Sequence, residues 1–120
     1  MSFTKDWPSD WNICKEDFLV SEKIVPIFES YLQSLKEKGV SKSTFNRHKG
    51  SCHSLGGYII REIFNHDDNP FKGNETGQAI LLHFLNGYDG PLIHPDNETC
   101  QREVDTTCKK LYKALKSNEI

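Results

Sequence analysis

Apolar residues recur at helical spacing over most of the chain. Between 22 and 38 they follow the i, i+3, i+4, i+7 pattern that is typical of an amphipathic helix with one face toward a core. The same spacing predicts three further helices, over about 42–64, 75–86 and 96–116. Strand-like alternation is nearly absent. The pattern therefore predicts an all-α fold, a bundle of four main helices.

Turn and capping residues mark where these helices begin and end. Gly39 is expected to end the first helix, and Ser41 or Ser43 to begin the second. Asp96 is the expected N-cap of the last helix, and Asn97 also has helix-capping chemistry. We place Pro26 in the first turn of the first helix, because a missing N–H costs nothing there.

The first twenty residues form a separate segment. Trp7 and Trp11 make it rich in aromatic surface, but Pro8, Ser9 and Asp10 interrupt any helical period. We expect an irregular N-terminal arm at 1–20 that lies over a single helical domain at 21–120, because each buried indole removes a large apolar area from water.

The third predicted helix contains the most apolar stretch of the chain, so we expect it to be the central, buried one. In the second helix, Gly56 and Gly57 each cost about 1 kcal/mol relative to Ala. Such a pair is expected where another helix or a ligand approaches closely. The predicted core consists of Leu32, Leu35, Phe45, Leu55, Ile59, Ile63, Leu81, Leu82, Leu85, Val104 and Leu111.

Composition is that of an ordinary globular domain. The 120 residues are 36% hydrophobic and 27% charged, which excludes a disordered tail, and no stretch is apolar enough for a membrane helix. The N-terminus has no apolar signal segment. We therefore expect one soluble, cytoplasmic domain with no membrane partner. The net charge of -2 excludes a strongly basic coat protein but not a local basic patch.

Residues 36–49 form such a patch. Five lysines or arginines stand there against Glu37 alone, a balance of five minus one, or +4. The stretch G-V-S-K-S-T-F-N-R at 39–47 resembles the turn and recognition helix of helix-turn-helix proteins. Residues 28–48 more loosely resemble the core-binding segment of tyrosine recombinases. Both resemblances imply contact with nucleic acid. The predicted binding residues are Lys42, Ser43, Asn46, Arg47 and Lys49.

Four further sequence blocks stand out: S-T-F-N-R-H at 43–48, L-G-G-Y-I-I-R at 55–61, G-P-L at 90–92 and D-T-T-C-K-K-L-Y at 105–112. They are similar to blocks of a family of small bacterial proteins of unassigned function. The pattern departs at Asp89, where a glycine is usual. The resemblance implies a compact α-helical domain of bacterial source, and it implies no particular activity. It also singles out Arg61 and Asp105.

Three functions follow from these observations. The first is a non-catalytic nucleic-acid-binding or accessory module. The alternative is a protein-interaction module, either as a homodimer through an apolar face or through the Trp7 and Trp11 arm, or with another protein. The second alternative is a small-molecule site near Gly56, Gly57 and Arg61, with Asp105 as a further candidate.

We predict no catalytic residue, no metal and no cofactor. His48 and Cys52 stand at the i, i+4 spacing of a metal-ligand pair. However, Cys52, Cys100 and Cys108 lie on apolar stripes, and a cysteine there packs as a small apolar residue. Cys52 and the adjacent His53 point in different directions on a helix, so they cannot pair as nucleophile and base.

Overall fold

The computed structural model describes residues 3–11, 15–65, 75–85 and 91–117, which form helices and contain no strand. The all-α prediction is therefore confirmed, and the four predicted helices correspond to α2–α5. None of the described helices is long and apolar enough to cross a membrane. The stretches 66–74 and 86–90, including Asp89, lie outside the described residues. The helices are α1 (Trp7–Trp11), α2 (Lys15–Glu37), α3 (Lys42–Asn65), α4 (Gly77–Leu85) and α5 (Glu98–Lys116).

The first long helix begins at Lys15, so the predictions of a start near residue 22 and of Pro26 in the first turn were wrong. Pro26 lies inside α2, where it cannot donate to the carbonyl of Glu22. Both residues are exposed, so this break in the helix hydrogen bonding lies on the solvent side of α2. The helical turns that precede Pro26 are favourable because they bury the side chains of Val20 and Ile24.

The N-terminal arm is less irregular than predicted. Trp7–Trp11 is a short helix, and Trp7 and Trp11 are only 5% and 8% exposed. The arm does pack across the body, as expected, with α1 against α2 and α3. Glu29 of α2 binds the first described residues of the arm. Its carboxylate accepts from the backbone N–H of Phe3 at 3.0 Å and from the hydroxyl of Thr4 at 2.8 Å.

The close approach expected at Gly56 and Gly57 is that of the Trp11 ring. A Cβ added at Gly56 would overlap the six-membered ring of the indole, and one at Gly57 would lie 3.3 Å from Cδ1 of its five-membered ring. Trp11 Nε1 donates to the His53 carbonyl at 3.1 Å. The glycine pair therefore forms the flat surface on which the arm packs.

A four-residue connection joins α2 to α3 and makes them neighbours. Gly39 has φ +77°, the left-handed conformation that commonly ends a helix, and its N–H donates to the Lys36 carbonyl at 3.1 Å. Ser41 caps α3 by accepting from the N–H of Thr44 at 3.1 Å. These two features were predicted correctly.

Of the two residues with capping chemistry, Asn97 caps the last helix, and the prediction of Asp96 as the N-cap was wrong. Its side chain accepts from the N–H of Cys100 at 3.0 Å. The cap must stand three residues before the amide that it satisfies, and Asp96 is one residue too early because it belongs to the preceding turn.

The predicted core residues are buried, except Leu82, which is half-buried. The prediction that the third helix is central was wrong. α4 packs against α2 and α5 and exposes Gln78, Ala79 and His83. Its nine residues cover one side of the bundle, whereas the much longer α2 and α3 enclose the centre. Gly77 lets α4 start directly against α2, since a Cβ there would overlap the Lys23 carbonyl.

We predict that Gly56→Ala destabilises the protein by about 1–3 kcal/mol, because the added methyl group overlaps the buried Trp11 ring. Gly50→Ala is the matched control. Nothing lies within 4 Å of a Cβ at Gly50, so this variant should gain about 0.5–1 kcal/mol of helix propensity. Urea unfolding of both variants measures the difference. Equal stability of the two would contradict the packing described above.

Candidate nucleic-acid interface between α3 and α5

The five predicted binding residues do not share one face of α3. Successive residues of an α-helix are rotated by about 100°, so Lys49 points about 200° away from Arg47, and Lys42 is on the same side as Lys49. Lys42, Ser43, Asn46 and Arg47 are exposed and Lys49 is half-buried. The structure therefore groups Ser43 and Asn46 with Arg47, and separates both lysines from them.

Arg47 faces α5, which contributes two cations that the sequence reasoning missed. Arg47, Arg102 and Lys110 line a groove of about 420 Å³ between the helices, which we call the cationic groove. Glu103 is its one acidic lining residue. The remaining lining residues are His48 and four threonines, Thr44, Thr99, Thr106 and Thr107. The α5 residues follow the i, i+3, i+4, i+7 spacing of one helix face, so the signal was present in the sequence.

A buried hydrogen-bonded cluster lies beneath the cationic groove. His48 is 5% exposed, and its Nδ1 lies 2.8 Å from the hydroxyl oxygen of Thr107 and 3.4 Å from that of Tyr31. These contacts connect α2, α3 and α5. Burial, reinforced by Lys110 and Arg47, lowers the pKa of His48 to about 4, so its ring is neutral at pH 7. Burial also raises the pKa of Tyr31, so its hydroxyl stays protonated.

A second groove, of about 520 Å³, lies on the other side of Arg47 and Glu103, which line both grooves. We call it the serine groove. Ser51 is only 5% exposed, and its hydroxyl forms no hydrogen bond among the residues that the structure describes. Such a group can bind a polar ligand or water in the groove, because no described protein group occupies its hydrogen-bonding positions. The other lining residues are Ser43, Asn46, Gly50, Ser54, His94, Cys100 and Val104.

Gln101 fixes the chain segment at 91–94, which contributes His94 to the lining of the serine groove. Its Oε1 accepts from the N–H groups of Ile93 and His94, both at 2.8 Å. Its Nε2 donates to the Pro91 carbonyl at 3.0 Å and to the Asp105 carboxylate at 2.9 Å. Asp105, singled out by the family resemblance, therefore orients Gln101 and through it the chain at 91–94.

The other candidate residues do not converge on a ligand site. Arg61 is exposed near the far end of α3. The Trp11 indole occupies the space over Gly56 and Gly57, which leaves no room for a ligand there. Because both indoles of the arm are buried within the chain, neither is available to a second copy.

The cysteines and histidines form no metal centre in the part of the chain that is described, where no three metal-ligating side chains cluster. Burial raises the pKa of Cys52 well above its ordinary value, so this thiol stays protonated. A protonated thiol is a poor nucleophile.

Comparison of the chain with protein-family models, curated proteins and solved structures found no match. The resemblances noted for residues 39–47 and for the four sequence blocks therefore stay predictions.

We predict that acid destabilises the fold through His48. Its pKa is 6.5 ordinarily and about 4 in the folded protein. Between these values the unfolded chain binds a proton that the folded chain does not, so the free energy of unfolding falls as the pH falls. His48→Gln removes this contribution, and the stability difference between wild type and variant should narrow from about pH 7 to about pH 4.5.

Urea unfolding across this pH range measures that difference. Gln33→Ala, at an exposed position on α2 that carries no titratable group, is the control and should keep a constant offset from wild type. A constant offset for His48→Gln as well would contradict the prediction.

Proposed function

We propose that the protein is a non-catalytic nucleic-acid-binding module whose contact surface is the α3–α5 face, formed by Arg47 of α3 with Arg102 and Lys110 of α5. The observation that carries this proposal is the convergence of three cations from two helices on one groove that has a single acidic lining residue. No ion pair joins any of the three to a carboxylate within the described residues.

The chemistry of the cationic groove suits phosphate oxygens. Guanidinium and ammonium groups donate charge-assisted hydrogen bonds to phosphate, and threonine hydroxyls are frequent additional donors. The net charge of the whole chain is -2, so the attraction is local to this face. The resemblance of residues 39–47 to a recognition helix supports the same ligand class.

We expect binding to DNA oligonucleotides that weakens steeply with salt. Three phosphate contacts correspond to a slope of log K against log salt of about -2 for single strands and about -3 for duplex. Arg47→Glu should weaken binding at low salt and reduce the slope by about one, because a phosphate contact is lost. Fluorescence anisotropy over a salt series measures both quantities.

Arg61→Glu is the matched control. It reverses the same charge on the same helix, about 20 Å from Arg47 along the axis. This variant should bind nearly as the wild type does. Absence of binding to any oligonucleotide at low salt, or equal loss in both variants, would overturn the proposed surface.

A further inference from the structure

We propose that the α3–α5 face binds one unpaired nucleotide, with its phosphate in the cationic groove and its base in the serine groove. The inference rests on the proposed function and specifies its ligand. The two grooves are adjacent, because Arg47 and Glu103 line both. A ligand that fills both must therefore join a strongly anionic part to a polar, largely uncharged part, as a nucleotide does.

The phosphate belongs to the cationic groove. Arg47, Arg102 and Lys110 supply positive charge there, and the threonine hydroxyls supply neutral donors. The serine groove has only Arg47 as a cation and offers small neutral groups instead. An anion without a second polar part would leave the serine groove, and the buried hydroxyl of Ser51, unused.

The serine groove has the groups that a base edge requires. The Asn46 amide both donates and accepts, as do the hydroxyls of Ser51 and Ser54. Gly50 has no side chain and leaves open space above α3, where nothing lies within 4 Å of its Cβ position. Val104 adds an apolar contact. The volume of about 520 Å³ is in the range of small-molecule pockets.

Glu103 indicates which bases fit. A carboxylate repels phosphate, but it accepts hydrogen bonds from an exocyclic amine, as in the pairing of Glu with cytosine N4. Cytosine, adenine and guanine carry such an amine, whereas thymine and uracil do not. Glu103, which lines both grooves, therefore favours amine-bearing bases.

The base must be unpaired to enter. In a duplex, base pairing and stacking hold the base inside the helix, so the whole base can occupy a groove in the protein only after it has left the stack. The ligand is therefore a single-stranded segment or a free nucleotide, two sources of the same chemistry.

The test compares fluorescent oligo-dC, oligo-dT and a duplex of equal length by anisotropy, with wild type and Glu103→Gln. Wild type should prefer oligo-dC to oligo-dT, and both to the duplex. Glu103→Gln should weaken oligo-dC binding by about tenfold, because it removes the charged acceptor for the amine. The same variant should leave oligo-dT binding unchanged or stronger, since a negative charge beside the phosphate is lost.

Glu22→Gln is the matched control, because it removes the same charge from an exposed position on α2 and should leave the preference intact. Ser51→Ala tests the buried hydroxyl with a nearly isosteric change. It should weaken oligo-dC binding without altering the salt slope, and circular dichroism should show the same helix content as wild type.

Competition with free CMP and UMP separates the two sources. Displacement of oligo-dC by CMP but not by UMP supports a free nucleotide, and retention of oligo-dC against both supports a strand. Equal binding of duplex and single strand, with Glu103→Gln acting alike on oligo-dC and oligo-dT, would overturn the inference and leave the proposed function standing. Failure of every oligonucleotide to bind would remove both.

Discussion

The fold depends on the contact between the Trp11 indole and the glycine pair of α3. The chain has few small apolar residues, so its core is built from large side chains. The Trp11 ring reaches the middle of α3 because neither Gly56 nor Gly57 has a side chain there. Trp7, Trp11 and Phe28 then pack with ring centroids 5.4–6.2 Å apart. The arm thereby becomes part of the core that holds α2 against α3.

The packing of α3 against α5 depends on a polar contact. His48 and Thr107 lie side by side in the interior, and their 2.8 Å contact joins α3 to α5 beneath the cationic groove. Apolar packing alone tolerates small rotations of a helix, whereas a buried hydrogen bond does not, because an unpaired buried group is costly. This contact therefore determines which residues of α5 meet Arg47.

Part of the candidate site could be predicted from the sequence. Arg47 was found because it stands in a basic stretch at the start of a capped helix. Lys42 and Lys49 were grouped with it by proximity along the chain, although helical geometry turns them to the other side. Arg102, Glu103 and Lys110 were missed because they are more than fifty residues away from Arg47. Gln101 was missed for a different reason, since a glutamine on a helix gives no sign that it will hold a neighbouring loop.

By itself, the sequence determined the helical class, the approximate positions of the four main helices and nearly all of the core. These properties depend on periodicity and capping, which act over a few residues. The tertiary structure decided how far α2 extends past Pro26, that α4 lies at the edge, and what covers Gly56. It also decided which cations of α3 and α5 share a groove. Those outcomes depend on contacts between residues that are far apart in the chain. The free energy of such contacts cannot be inferred from the pattern of neighbouring residues.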